Sequence, residues 1–124
     1  EKATIIIGQS PNGYYLSLSA NGGFSSYRYG TTPEGYHESS PGVVPLNQWT
    51  LLTATWDGSS ARLYVNGQLH KTVAVTGSGT ASSSVVIGAE TSARQFVGSI
   101  DDVRIYNRSL SASEIQNLYA VAAQ

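Results

Sequence analysis

The chain has 124 residues, 40% of them hydrophobic and only 12% charged, with a net charge of −1. That length suits one domain able to bury roughly two-thirds of its unfolded surface. Seven Lys and Arg scattered singly give no phosphate-binding surface, which argues against nucleic acid, and no apolar run approaches the ~20 residues of a membrane helix. The absence of cysteine excludes thiol catalysis, disulfide staples and Cys-ligated zinc, and two isolated histidines, His37 and His70, argue against a His-rich metal site. Polarity comes from Ser, Thr, Gly, Asn and Tyr, a composition suited to an extracellular β-protein. Glu1 at the first position, with no signal peptide, reads as a processed or excised product.

Apolar and β-branched runs punctuated by turn residues predict strands near 3–7, 14–20, 23–29, 49–56, 60–66, 69–75, 84–88 and 96–106. Asn12-Gly13 and Asn21-Gly22-Gly23 mark early turns, and Asp57-Gly58 a later one. Asn66-Gly67 fits a two-residue type I′ hairpin, because both residues tolerate positive φ. In the 60–66 strand Ala61, Leu63 and Val65 share one face, which packs inward. The 49–56 run is apolar on both parities, as in a strand covered on both sides, and Trp49 and Trp56 are expected in the core. Residues 30–48 look irregular, and a loop of that length inside a compact domain is more often functional than idle. Residues 76–83 look like a plain connector.

The C-terminus breaks the β pattern. Ser111 and Glu114 form a Ser-x-x-Glu capping box, while Leu110 and Ile115 have the spacing of a hydrophobic staple. Ile115, Leu118, Tyr119 and Ala122 then fall on one stripe, which predicts a helix over 112–121 docked on the strands.

Two stretches carry a family resemblance. One runs from Asn47-Gln48-Trp49 through Trp56-Asp57-Gly58 to Leu63-Tyr64-Val65-Asn66-Gly67. The other runs from Gly98-Ser99-Ile100-Asp101-Asp102-Val103-Arg104-Ile105-Tyr106 through Ser111 to Leu118-Tyr119. Together they resemble the laminin-G-like, concanavalin A-like jelly-roll domains common in secreted bacterial and archaeal proteins. The resemblance implies an all-β fold: a two-sheet antiparallel jelly-roll sandwich with one short C-terminal helix. It spans 1–124 as one domain, yet a partial one, since family members begin with further strands that this chain lacks. A sandwich short of strands exposes an unpaired edge and an apolar groove. Either a second polypeptide or another copy supplies the strands, or this variant has rearranged its edge.

Relatives on this sandwich include glycoside hydrolases, which need two carboxylates flanking the scissile bond. In related endo-β-glucanases they alternate on one strand, and none of the eight acids here forms that set. With no Gly-x-Ser-x-Gly elbow either, the chain is expected not to be an enzyme. Asp101 is the metal candidate: strand parity puts it on the side of Val103 and Ile105, and an oxygen ligand with no Cys or His nearby suits Ca²⁺. The resemblance implies the same, because many relatives hold a structural calcium through the first acid of this stretch. The bland alternative makes Asp101 a partner for Arg104 or a backbone cap, with Asp102 solvated or salt-bridged.

Tyr27, Tyr29, Tyr36, His37 and Glu38 interleave flat rings with hydrogen-bonding groups, the mixture that recognises sugars. Ordinary strand propensity explains Tyr27 and Tyr29 equally well. Two functions follow as expectations. The first is a non-catalytic extracellular or cell-surface module binding carbohydrate or glycoprotein, with calcium as its cofactor. The alternative is a structural or assembly subunit completed by strand donation from another chain.

Overall fold

The computed structural model describes residues 4–9, 13–34, 36–80, 84–89 and 94–122. Eight strands and one helix follow in chain order: β1 Thr4–Gly8, β2 Tyr14–Leu18, β3 Phe24–Arg28, β4 Tyr36–Glu38, β5 Leu52–Trp56, β6 Ser60–Val65, β7 Gln68–Ala74, β8 Val86–Ile87 and α1 Ala112–Ala122. They make two antiparallel sheets, one ordered β4-β3-β2-β1-β8 and the other β5-β6-β7. The all-β class, the two sheets and the single C-terminal helix are as the sequence predicts. Parts of that prediction fall on Ala3, Asn12, Gly35 and 81–83, which lie outside the described residues.

The β6–β7 hairpin turns on Asn66 and Gly67, at φ of 49° and 79°, the left-handed pair that a type I′ turn demands. Asn66 also fixes where β5 begins. Its side-chain Oδ1 accepts from the Leu51 N–H at 2.9 Å, and its own N–H donates to the Leu51 carbonyl at 2.8 Å. The ladder therefore starts at Leu52 rather than at Trp49, and Trp49 is 68% exposed instead of buried.

Alternation along the strands builds the core. Ile5 and Phe24 are fully buried on the first sheet, and Leu63 and Tyr64 nearly so on the second. Along one side the sheets are laced together. Lys71 of β7 donates to the Glu38 carbonyl of β4 at 2.7 Å, the Ser40 N–H donates to His70 Nε2 at 3.0 Å, and Thr32 and Thr76 exchange backbone bonds of 2.7 and 2.8 Å.

The helix ends this framework. Ser111 Oγ accepts from the Glu114 N–H and Glu114 Oε1 accepts from the Ser111 N–H, both at 3.2 Å, so the capping box closes in both directions. Ile115 is fully buried and clusters with Leu110, Tyr64 and Leu118, which seats α1 on the second sheet.

One predicted strand is absent. Residues 96–106 join no ladder, and Val97, Val103, Ile105 and Tyr106 are exposed. A period-2 pattern becomes a strand only where a neighbour meets its N–H and C=O groups. The Phe96 N–H reaches the Gly88 carbonyl at 2.7 Å, but among the described residues no strand pairs along this segment, nor along the outer edge of β5.

Candidate functional site

Opposite the laced side, the sheets stand apart around a cavity of about 790 Å³. Its floor is β1 to β4, contributing Ile7, Tyr14, Leu16, Ser26, Arg28 and His37. Its two rims are unbroken runs: Leu51–Gly58, which contains all of β5, and Arg104–Leu110. Residues of both parities in an unbroken run mean that the cleft follows the edge of β5 and not only one of its faces.

Polar groups interrupt the apolar walls. Arg28 Nε, His37 Nε2, Thr55 Oγ1 and Trp56 Nε1 are buried on this cleft with no hydrogen-bond partner among the described residues. Such groups are costly to leave unmet, since an unpaired buried donor forfeits about 1–3 kcal/mol. The Arg28 guanidinium carbon lies 4.1 Å above the centre of the Trp56 ring, a cation–π stack at one end of the cleft. Burial pushes the Arg28 pKa below its ordinary value, opposed by its attraction to Tyr14. Burial raises Tyr14 in turn. His37 is only 8% exposed, and burial followed by the nearby Lys71 charge lowers its pKa, so at neutral pH it is the uncharged imidazole.

Of the residues predicted to bind, the cleft brings Tyr27 and His37 together. In the first sheet Ser26 pairs with His37 and Ser25 with Glu38. Successive strand residues take opposite faces, so His37 turns into the cleft with Ser26 and Arg28 while Glu38 turns outward. Tyr27 takes the other face with Tyr15, which is buried, their rings 5.9 Å apart and tilted; both still border the cleft, and the Tyr27 hydroxyl donates to Glu34 Oε1 at 2.9 Å. Tyr29 sits in the following turn, 39% exposed. Tyr36 enters the ladder opposite Tyr27, and its side chain lies outside the described part of the structure.

Asp101 is exposed, and its Oδ1 accepts from the Asp102 N–H at 2.7 Å. Asp102 pairs with Arg104 at 2.9 Å, as one of the sequence alternatives has it. Among the described residues no group of three or more His, Cys, Asp or Glu side chains stands together. Asp101 is thus a single carboxylate beside a neutralised one, where a Ca²⁺ site takes six to eight oxygens, backbone carbonyls and waters among them.

The unpaired edge and apolar groove expected from the sequence have a counterpart in the outer edge of β5, unpaired among the described residues, and in this cleft; the place of Arg28 on it was not foreseen.

Among solved structures the chain is similar to an S-layer domain-containing protein (residues 221–444) from Clostridium thermocellum ATCC 27405, at 22% identity and a TM-score of 0.47. That likeness covers 94% of this chain and 63% of the other, so the chain spans under two-thirds of that neighbour's length. None of the curated proteins compared matches it. A laminin G family model, described as Concanavalin A-like lectin/glucanases superfamily, matches residues 1–116. Those residues carry both sheets, both rims of the cleft and the start of α1, and the chain belongs to this family.

Proposed function

We propose that the chain is a non-catalytic binding module of the cell surface or extracellular space, working by taking an extended polypeptide segment along β5. One observation carries this. Among the described residues β5 pairs on one side only, and its other edge opens onto the cleft bounded by Leu51–Gly58 and Arg104–Leu110. A free edge facing apolar walls is the arrangement that strand addition uses, with backbone bonds giving affinity and side-chain pockets giving selectivity. The non-catalytic part of the proposal rests on the two carboxylates that line the cleft. Asp57 is held by Arg62 at 2.6 Å and Asp102 by Arg104 at 2.9 Å, whereas glycoside hydrolysis asks for two carboxylates at the scissile bond. The charge-poor, Ser/Thr/Gly/Tyr-rich composition supports the extracellular setting.

Size-exclusion chromatography with light scattering, run beside thermal melting, is the test. A module awaiting a strand self-associates or melts at low temperature when alone. A clean monomer with a high melting midpoint contradicts the proposal.

Carbohydrate is the second ligand class, favoured by the half-buried Tyr27 ring beside Glu34 and by exposed Tyr29 and Glu38. Calorimetry with neutral and acidic oligosaccharides, using Tyr29→Ala as control, decides it: no heat at millimolar sugar removes it. Calcium at Asp101 would need further oxygens, from backbone carbonyls, waters or residues outside the described ones. If it binds, chelation lowers the melting midpoint by mass action, and Asp101→Ala abolishes that sensitivity.

A further inference from the structure

Three of the chain's arginines are neutralised by carboxylates: Arg62 by Asp57, Arg104 by Asp102 and Arg108 by Glu114. Arg28 is not. It has no carboxylate partner among the described residues, although it reaches further inside than the other three. Gly79 makes room for it, since a Cβ there would lie 2.3 Å from Arg28 Nε. The guanidinium is thereby held between Trp56 and the Gly79 backbone, facing the cleft.

Two of the unmet polar atoms can only donate. Arg28 Nε and Trp56 Nε1 are donors with no acceptor capacity, and the Thr55 hydroxyl and neutral His37 can also donate. An occupant must therefore bring acceptors. Backbone carbonyls supply some, and a carboxylate fits the stacked arginine better than any neutral group because charge-assisted bonds are the stronger ones.

The size of the space names the form. One residue of a strand in a sandwich fills about 160 Å³, from a rise of ~3.3 Å, a strand spacing of ~4.8 Å and a sheet separation of ~10 Å. The cleft volume of about 790 Å³ thus holds about five residues of strand. The space also lies between two unbroken runs of chain, where a strand would run, rather than in a rounded pit.

Resting on the strand-addition function above, we infer that the cleft seats an extended segment of about five residues, one of whose inward side chains is a carboxylate paired with Arg28. Arg28 is thus a specificity-determining residue, selecting an acidic strand over a neutral one.

The test uses short alternating Val/Thr peptides with Glu placed at successive central positions, each matched by its Gln counterpart, titrated calorimetrically into the whole chain. In one register the Glu peptide binds at least about tenfold tighter than the Gln peptide, since close charge pairs at interfaces are worth more than ~1.4 kcal/mol. Arg28→Gln removes the preference and leaves the affinity for the Gln peptide in place. The wild-type preference must also shrink at high salt, which keeps the result readable if the variant folds poorly. Equal binding of Glu and Gln peptides in every register overturns the role of Arg28 and leaves strand addition standing. No peptide binding at millimolar concentration overturns both. Oligogalacturonate binding in place of the peptides also overturns the inference and gives the cleft to an acidic sugar.

Discussion

Truncating Ile115 to Ala tests how α1 is held. Ile115 is fully buried and packs with Tyr64, Leu110 and Leu118 between the helix and the second sheet. The substitution removes three carbon groups at ~0.8 kcal/mol each, about 2.4 kcal/mol of transfer free energy. Incomplete collapse around the missing volume adds to this, placing the loss in the range of about 2–5 kcal/mol. Against a domain stability of ~5–15 kcal/mol, that is a large fraction. Urea unfolding followed by tryptophan fluorescence and far-ultraviolet circular dichroism reads the shift in midpoint. Ile105→Ala is the control, since Ile105 is half exposed and should cost far less. A loss below about 1 kcal/mol for Ile115→Ala, equal to that of the control, refutes the docking of the helix and leaves α1 a loose tail.

The cap beside it is separable: Ser111→Ala removes the acceptor for the Glu114 N–H and should cost about 1 kcal/mol, read by the same unfolding curves. Glu114 is held down to a pKa of about 2 by Arg108 first and the Ser111 N–H second. A depressed carboxylate stabilises above its unfolded pKa and loses that contribution as pH falls through the folded value. The melting-midpoint gap between wild type and Glu114→Gln should therefore be full at pH 7 and close between pH ~4.5 and pH ~2; a gap constant with pH contradicts the pairing. Gly67→Ala should lose more than Gly58→Ala. Both have positive φ, at 79° and 91°, but only at Gly67 would the new Cβ crowd Tyr119, at 2.9 Å. Backbone strain alone costs ~1–2 kcal/mol, and equal midpoints for the two variants would contradict the contact between the hairpin turn and α1.

Features set by neighbouring residues were legible in the sequence. Asn66-Gly67 gave the hairpin and Ser111 with Glu114 the cap, because in each the partner lies within three positions. Features set by distant partners were not. The 96–106 pattern alternates as a strand should, yet a ladder needs a paired strand, and beyond the bond from the Phe96 N–H to the Gly88 carbonyl none runs beside the segment among the described residues. Trp49 belongs to an apolar run, but the Asn66 bonds to Leu51 start the strand after it. Within the expected binding group, the separation of faces was hidden too. Reading 30–48 as a loop hid β4, whose alternation separates His37 from Glu38. Arg28 carried no motif, and its meaning arises from Trp56 beside it and from the lack of a carboxylate partner among the described residues.

Amide hydrogen exchange along β5 and β6 of the chain alone bears most directly on strand addition. β6 is paired on both sides and should exchange slowly, while alternate amides of Leu52–Trp56 that point to the free edge should exchange fast. Those same amides should become slow when an extended peptide binds. If β5 is as protected as β6 in the unliganded chain, its outer edge is already covered and the module takes no strand there.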